Sequence, residues 1–166
     1  VYYLFDLNTQ KLTPLDPYHS PQTLAEYSPD GTKVSFIHGN DIYVKTIANG
    51  KVDKLTLDGK RNKVINGTTD WVYEEEFSIT KAYGWSPDSK FIAYLRFDEK
   101  AVPEYSMDMY GELYPEAYTF KYPKAGEVNS VVTAHCVAVD SKKTQQISLG
   151  TYEYIPRLNW SSASNQ

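Results

Sequence analysis

The chain has 166 residues, 41% of them hydrophobic and 23% charged, with a formal net charge of -4 at pH 7. This length suits one ordinary domain or a piece of a larger one. The acidic balance leaves no basic surplus to neutralise phosphates, which argues against a nucleic-acid partner. No apolar run approaches the roughly 20 residues that span a bilayer, so no membrane contact is expected of this segment.

Cys136 is the single cysteine, so an intrachain disulfide and a thiolate metal cluster are both ruled out. Its apolar setting, VVTAHCVAVD, predicts a buried and inert thiol. Fifteen tyrosines favour β structure, where aromatic and β-branched side chains pack on pleated faces.

In chain order, the opening VYYLFDLNTQKLTPL reads as a hairpin rather than a secretory leader. It is expected to be the end of one blade, over 1–20. LAEYS, KVSFIH, DIYVKTI and KVDKLTL then follow, punctuated by Pro29-Asp30-Gly31, Gly39-Asn40, Asn49-Gly50 and Asp58-Gly59. Such turns need positive φ and mark hairpins, and four short strands over 21–60 are the size of one propeller blade. The unit recurs, because YSPDGTKVSF from Tyr27 is echoed by WSPDSKFIAY from Trp85. A third start is read at Asn159-Trp160-Ser161.

Two stretches break the period. The first is a Glu-bearing insertion over 61–80. The second, VPEYSMDMYGELYPEAYTFKYP over 102–123, lengthens the blade assigned to 81–150. Residues 151–166 would open the next blade. The expected fold is therefore all-β: a partial β-propeller of about two four-stranded antiparallel blades plus flanking strands. A short helical Glu-bearing insertion and an extended arm complete it. An open arc leaves strand edges exposed, so a larger parent protein is expected.

The chemistry concentrates in TTDWVYEEEF, residues 68–77. Asp70 is a good N-cap, and Trp71 to Glu76 suit one or two helical turns. Consecutive Glu residues repel one another and sit poorly near a helix C-terminus. A solvated acidic face and a cation site both remain open on spacing alone. Calcium would need a longer loop of oxygen ligands, whereas an ammonium offers three donors that two carboxylates can share. Gly84-Trp85-Ser86 begins like a nucleophile elbow, but Pro87 has no N–H for an oxyanion hole. Ser86 is therefore read as a turn residue, and His19, His38 and His135 have no triad-like setting. No catalytic residue, metal ligand or cofactor is assigned. Asn66-Gly67-Thr68 and Asn159-Trp160-Ser161 match the glycosylation pattern, which is common by chance.

DWVYEEEF at 70–77, the WSPDSKFIAYLRFDE blade, YPKAGEVN at 122–129 and NDIYVK at 40–45 resemble the propeller domain of the dipeptidyl peptidase IV family. These are prolyl oligopeptidase-type serine peptidases. The resemblance implies an exopeptidase that releases N-terminal X-Pro or X-Ala dipeptides. It also implies a C-terminal α/β-hydrolase domain with a Ser-Asp-His triad, which this chain is not expected to contain. The last two Glu of the family's motif hold the substrate's α-ammonium; they correspond to Glu75 and Glu76, beside Glu74. The partners implied are peptides with a free N-terminus, the enzyme's own hydrolase domain, and a second copy through the arm 102–123, unless that arm is simply a mobile hairpin. A periplasmic, cell-surface or secreted location follows, the bacterial periplasm being favoured because secreted vertebrate relatives are richer in disulfides. The alternatives are an inactive relative serving as an interaction module and a prolyl tripeptidyl peptidase.

Overall fold

Two copies of one turn frame the structure, a computed structural model that describes residues 1–162. In the first, Ser28 Oγ donates to Asp30 Oδ1 at 2.6 Å and accepts from the Lys33 N–H at 2.9 Å. In the second, Ser86 Oγ donates to Asp88 Oδ1 at 2.7 Å and accepts from the Phe91 N–H at 2.9 Å. The residue after each Asp takes a left-handed conformation, Gly31 at φ 69° and Ser89 at φ 61°. Glycine enters that region freely, whereas Ser89 is held there by its own bond, its Oγ accepting from the Asp30 N–H of the other turn at 3.0 Å. The two repeats are thus joined at their turns.

The chain opens with a separate hairpin, β1 (Tyr3–Asp6) and β2 (Lys11–Pro14). The first full sheet pairs β3 (Thr23–Tyr27), β4 (Lys33–His38), β5 (Asp41–Thr46) and β6 (Val52–Lys54) in order, antiparallel throughout. Gly39 and Asn40 both have positive φ, as a two-residue type I′ turn between β4 and β5 requires.

The second sheet repeats this meander with two excursions. Its strands are β7 (Val64–Asn66), β8 (Tyr83–Trp85), β9 (Phe91–Asp98), β12 (Val131–Ala138) and β13 (Thr144–Ile147). Both β7 and β8 pair with β9, Asn66 lying opposite Arg96 and Tyr83 opposite Tyr94. Leu95 spans the joint, its carbonyl accepting from Gly67 at 3.1 Å and its N–H donating to Ala82 at 2.8 Å. The Ala82 N–H closes the gap on the Gly67 carbonyl at 2.9 Å. The two short strands are therefore halves of one, and five strands fill four positions. Residues 68–81, which carry helix α1 (Trp71–Phe77), are looped out between the halves. Val64–Asn66, inside the stretch set apart by sequence as an insertion, belongs to this sheet.

The second excursion, 99–130, replaces the tight turn that joins β4 to β5. It rises as a two-stranded hairpin, β10 (Glu104–Met109) and β11 (Glu116–Lys121). Side-chain alternation sorts the core into layers. Ile42 and Val44 of β5 meet Ile92 and Tyr94 of β9 between the sheets. Val34, Phe36 and Tyr43 face the opening segment with Leu15. Leu95 and Phe97, on the other face of β9, pack with Tyr73 and Ile155. Residues 151–162 form no strand, and Trp160 Nε1 donates to the Gly84 carbonyl at 2.9 Å. Part of the stretch read as a further blade start, 163–166, lies outside the described residues.

Gly67 sits at the root of the looped-out segment with φ 80°, and an added Cβ would come within 2.9 Å of Ile42 Cγ1. Gly67→Ala should lower stability by about 1–3 kcal/mol through overpacking and left-handed strain, read as a shift in the urea midpoint.

Candidate functional site

Helix α1 is too short to stand alone, since isolated helices below roughly 12–15 residues are marginal in water. Its ends are tied instead. Asp70 caps the N-terminus, Oδ1 accepting from the Tyr73 N–H at 3.0 Å, and Oδ2 accepts from Ser130 Oγ at 2.6 Å. At the C-terminus Ser78 turns left-handed, and the Tyr73 carbonyl accepts from both Ser78 and Ile79.

Tyr73 anchors the whole segment. It is buried, with its ring against Phe97 and Phe77, and its hydroxyl accepts from the Ile155 N–H at 2.8 Å. Tyr73 and Phe77, four residues apart, face the core together. At about 100° per residue, Glu75 then points away from the core and Glu74 and Glu76 flank it. All three carboxylates are exposed, and among the described residues none makes an ion pair or a side-chain hydrogen bond. Glu74 lies in the first turn, not at the C-terminal end; Glu75 and Glu76 follow it, with no basic residue in the last turn. Glu75 and Glu76, the pair singled out by the family resemblance, are exposed on this helix together with Glu74.

The second signature stretch braces the first. Tyr122 packs edge-on against Trp71 at 4.4 Å between ring centroids. Asn129 Nδ2 donates to Glu153 Oε1 and the Tyr154 hydroxyl, and the next residue is Ser130, which bonds Asp70. Two motifs some fifty positions apart in sequence are therefore one contact surface.

Beneath it lie two buried acids: Asp70, read from sequence only as a helix cap, and Glu99, which sequence reading passed over. Glu99, at the start of the arm, is buried, and its pKa is pushed up to about 7. Loss of hydration is the main cause and the Asp70 charge adds to it, with Lys121 partly opposing. Burial likewise raises Asp70. The only sequence signal for Glu99 was its place just before the arm. Other expectations resolve simply. Ser86 is buried in its turn. Cys136, expected to be buried, is half-buried on β12, and desolvation still raises its thiol pKa. Asn66 of the first glycosylation match is fully buried, its Nδ2 held by Asp41 and Asp58, so it is not an accessible acceptor.

Two stacked antiparallel blades, one of them opened to extrude a capped carboxylate helix, define an arc of a β-propeller. The family described as the dipeptidyl peptidase IV (DPP IV) N-terminal region matches residues 1–166, and the chain belongs to it. It is 37% identical over 164 residues to a probable dipeptidyl-aminopeptidase B of Talaromyces marneffei, covering 89% of this chain and 18% of that protein. It is 38% identical over 133 residues to the human prolyl endopeptidase FAP, covering 79% and 18%. The crystal structure of Porphyromonas gingivalis dipeptidyl peptidase 4 superposes with a TM-score of 0.88 at 45% identity, covering 93% of this chain and 22% of that one. The chain thus spans about a fifth of the length of the proteins it matches.

The buried acids carry a pH signature. Between pH 4.5 and about 7, folded Glu99 keeps a proton that the unfolded chain has released, so its contribution to stability falls as pH rises through that window. Glu99→Gln should therefore raise the melting temperature relative to wild type increasingly from pH 4.5 to 7, with no further gain above. Paired melting curves across that range measure it.

Proposed function

We propose that this chain is the substrate-recognition propeller segment of a serine-type dipeptidyl peptidase, and that Glu75 and Glu76 hold the α-ammonium of a peptide's free N-terminus. The carrying observation is the pair of exposed carboxylates on a seven-residue helix tied at both ends by buried contacts. An ammonium has three donors, and adjacent Glu side chains splay widely enough to accept from different ones. A helix tied at both ends sets the distance from the anchored amine to the bond that is cut. That distance selects release of an N-terminal X-Pro or X-Ala dipeptide over internal cleavage. These carboxylates position the substrate; the bond-breaking groups belong to a hydrolase domain.

The experiment uses the protein that carries this chain with its hydrolase domain. Losing one charge-assisted hydrogen bond of about 1.5–3 kcal/mol corresponds to roughly a 10- to 100-fold fall in kcat/KM. Glu75→Gln and Glu76→Gln should each show that fall on X-Pro substrates with a free amine, and no further fall on N-acetylated ones. Unchanged turnover in both variants excludes the assignment. Mass spectrometry of the products should show dipeptides; tripeptides would assign the tripeptidyl alternative, and no hydrolysis by wild type the inactive one.

The arm is assigned to a homodimer contact on the same family reading. Its hairpin exposes Met107, Met109, Tyr110, Leu113 and Tyr114, an apolar content that suits an interface core. Sedimentation equilibrium should find a dimer in the intact protein, and Tyr110→Glu with Leu113→Glu should dissociate it.

A further inference from the structure

The segment that leads into the first sheet lays His19 against His38 and Tyr43, with ring centroids 5.4 Å apart between the two histidines and 4.7 Å between His19 and Tyr43. Each imidazole is held by an oxygen on the same side. His38 Nδ1 lies 2.9 Å from the Pro21 carbonyl oxygen, and His19 Nδ1 lies 2.5 Å from Asp16 Oδ2. A carbonyl oxygen only accepts, so the neutral His38 ring carries its proton on Nδ1 and keeps a lone pair on Nε2.

Asp16 imposes the same tautomer on His19. Its Oδ1 accepts from the Tyr18 N–H at 2.9 Å while its Oδ2 faces His19 Nδ1. With Oδ2 accepting from the Nδ1–H, the His19 Nε2 lone pair is available too. Neither Nε2 has a hydrogen-bond partner among the described residues, and both side chains reach solvent.

An imidazole whose Nδ1–H is pinned by a carboxylate or a carbonyl is the arrangement that orients metal-ligating histidines. The spacing also fits. Two imidazole nitrogens bound at about 2.1 Å with a near-tetrahedral angle at the ion place their ring centroids about 5 Å apart. The rings here are at 5.4 Å, inclined by 68°.

We propose that His19 and His38 form a two-histidine site for a divalent transition-metal ion of the Zn²⁺, Ni²⁺ and Cu²⁺ class, ligated through both Nε2 atoms. No group of three or more His, Cys, Asp or Glu side chains converges on a point among the described residues. The remaining coordination positions are therefore open to water or an added ligand. Of the nearby lysines, Lys54 is paired with Asp41 at 2.8 Å, and Lys45 donates to the Leu15 carbonyl at 2.5 Å. Bound metal would fasten the lead-in segment to the end of β4.

The test titrates ZnCl₂ into the intact protein and into His19→Gln and His38→Gln by calorimetry, and records the spin-resonance spectrum of bound Cu²⁺. Wild type should bind one more equivalent than either variant, and added Zn²⁺ should raise its melting temperature more than theirs. Copper at this site should couple to two imidazole nitrogens. Equal stoichiometry in all three proteins, or loss in only one variant, overturns the proposal. If a variant fails to melt cooperatively without metal, the wild-type Cu²⁺ spectrum decides: two-nitrogen coupling upholds the site and any other pattern overturns it.

Discussion

Burial of Tyr73 is the contact on which the rest of this structure depends. Three consecutive Glu residues repel one another, and two of them sit near the negative end of a seven-residue helix with no basic residue to offset it. Such a segment does not hold a helical shape by its own propensity. It holds because an aromatic ring is seated between Phe97, Phe77 and the 152–158 stretch, with its hydroxyl accepting from a backbone N–H. The Asp70 cap and the Ser78 turn then leave little freedom at either end. The electrostatic cost stays on the exposed face, where a cation can relieve it.

The blade accommodates this helix without losing its hydrogen bonds. Leu95 bonds across the gap to both halves of the divided strand, so residues 68–81 leave and return at one point of the ladder. The arm begins beyond the end of the same strand β9, replacing a tight turn. Both excursions therefore share one neighbourhood, and the Asp70–Ser130 bond and the Trp71–Tyr122 contact couple them directly. Glu99 and Asp70 are buried in that junction at an electrostatic cost.

Local chemistry made much of this legible beforehand. Gly39-Asn40 demanded positive φ, the paired Ser-Pro-Asp turns announced a repeat, and Asp70 before Trp71 announced a cap; each depends on residues within a few positions of one another. The acidic segment was visible in the same way, but spacing alone left a solvated face and a cation site both open, and only the family resemblance singled out Glu75 and Glu76. The bracing of one motif by the other was not, because Trp71 and Tyr122 meet only after the arm folds back. Nor was the divided strand, since VIN and YGW are too short to show alternation. Asn66 looked like a glycosylation acceptor until Asp41 and Asp58, from elsewhere in the chain, were seen to enclose it.

What the sequence determined by itself was the class of fold, its turns, and the identity of the acidic segment, because turn geometry and strand alternation act over a few residues. Only the tertiary structure decided that Glu75 and Glu76 stand exposed on a helix tied at both ends, that Glu99 is buried with a raised pKa, and that His19 meets His38 with each Nδ1 against an oxygen. Those outcomes depend on burial and on neighbours drawn from distant segments. Desolvation and long-range contact exist only once the chain has packed.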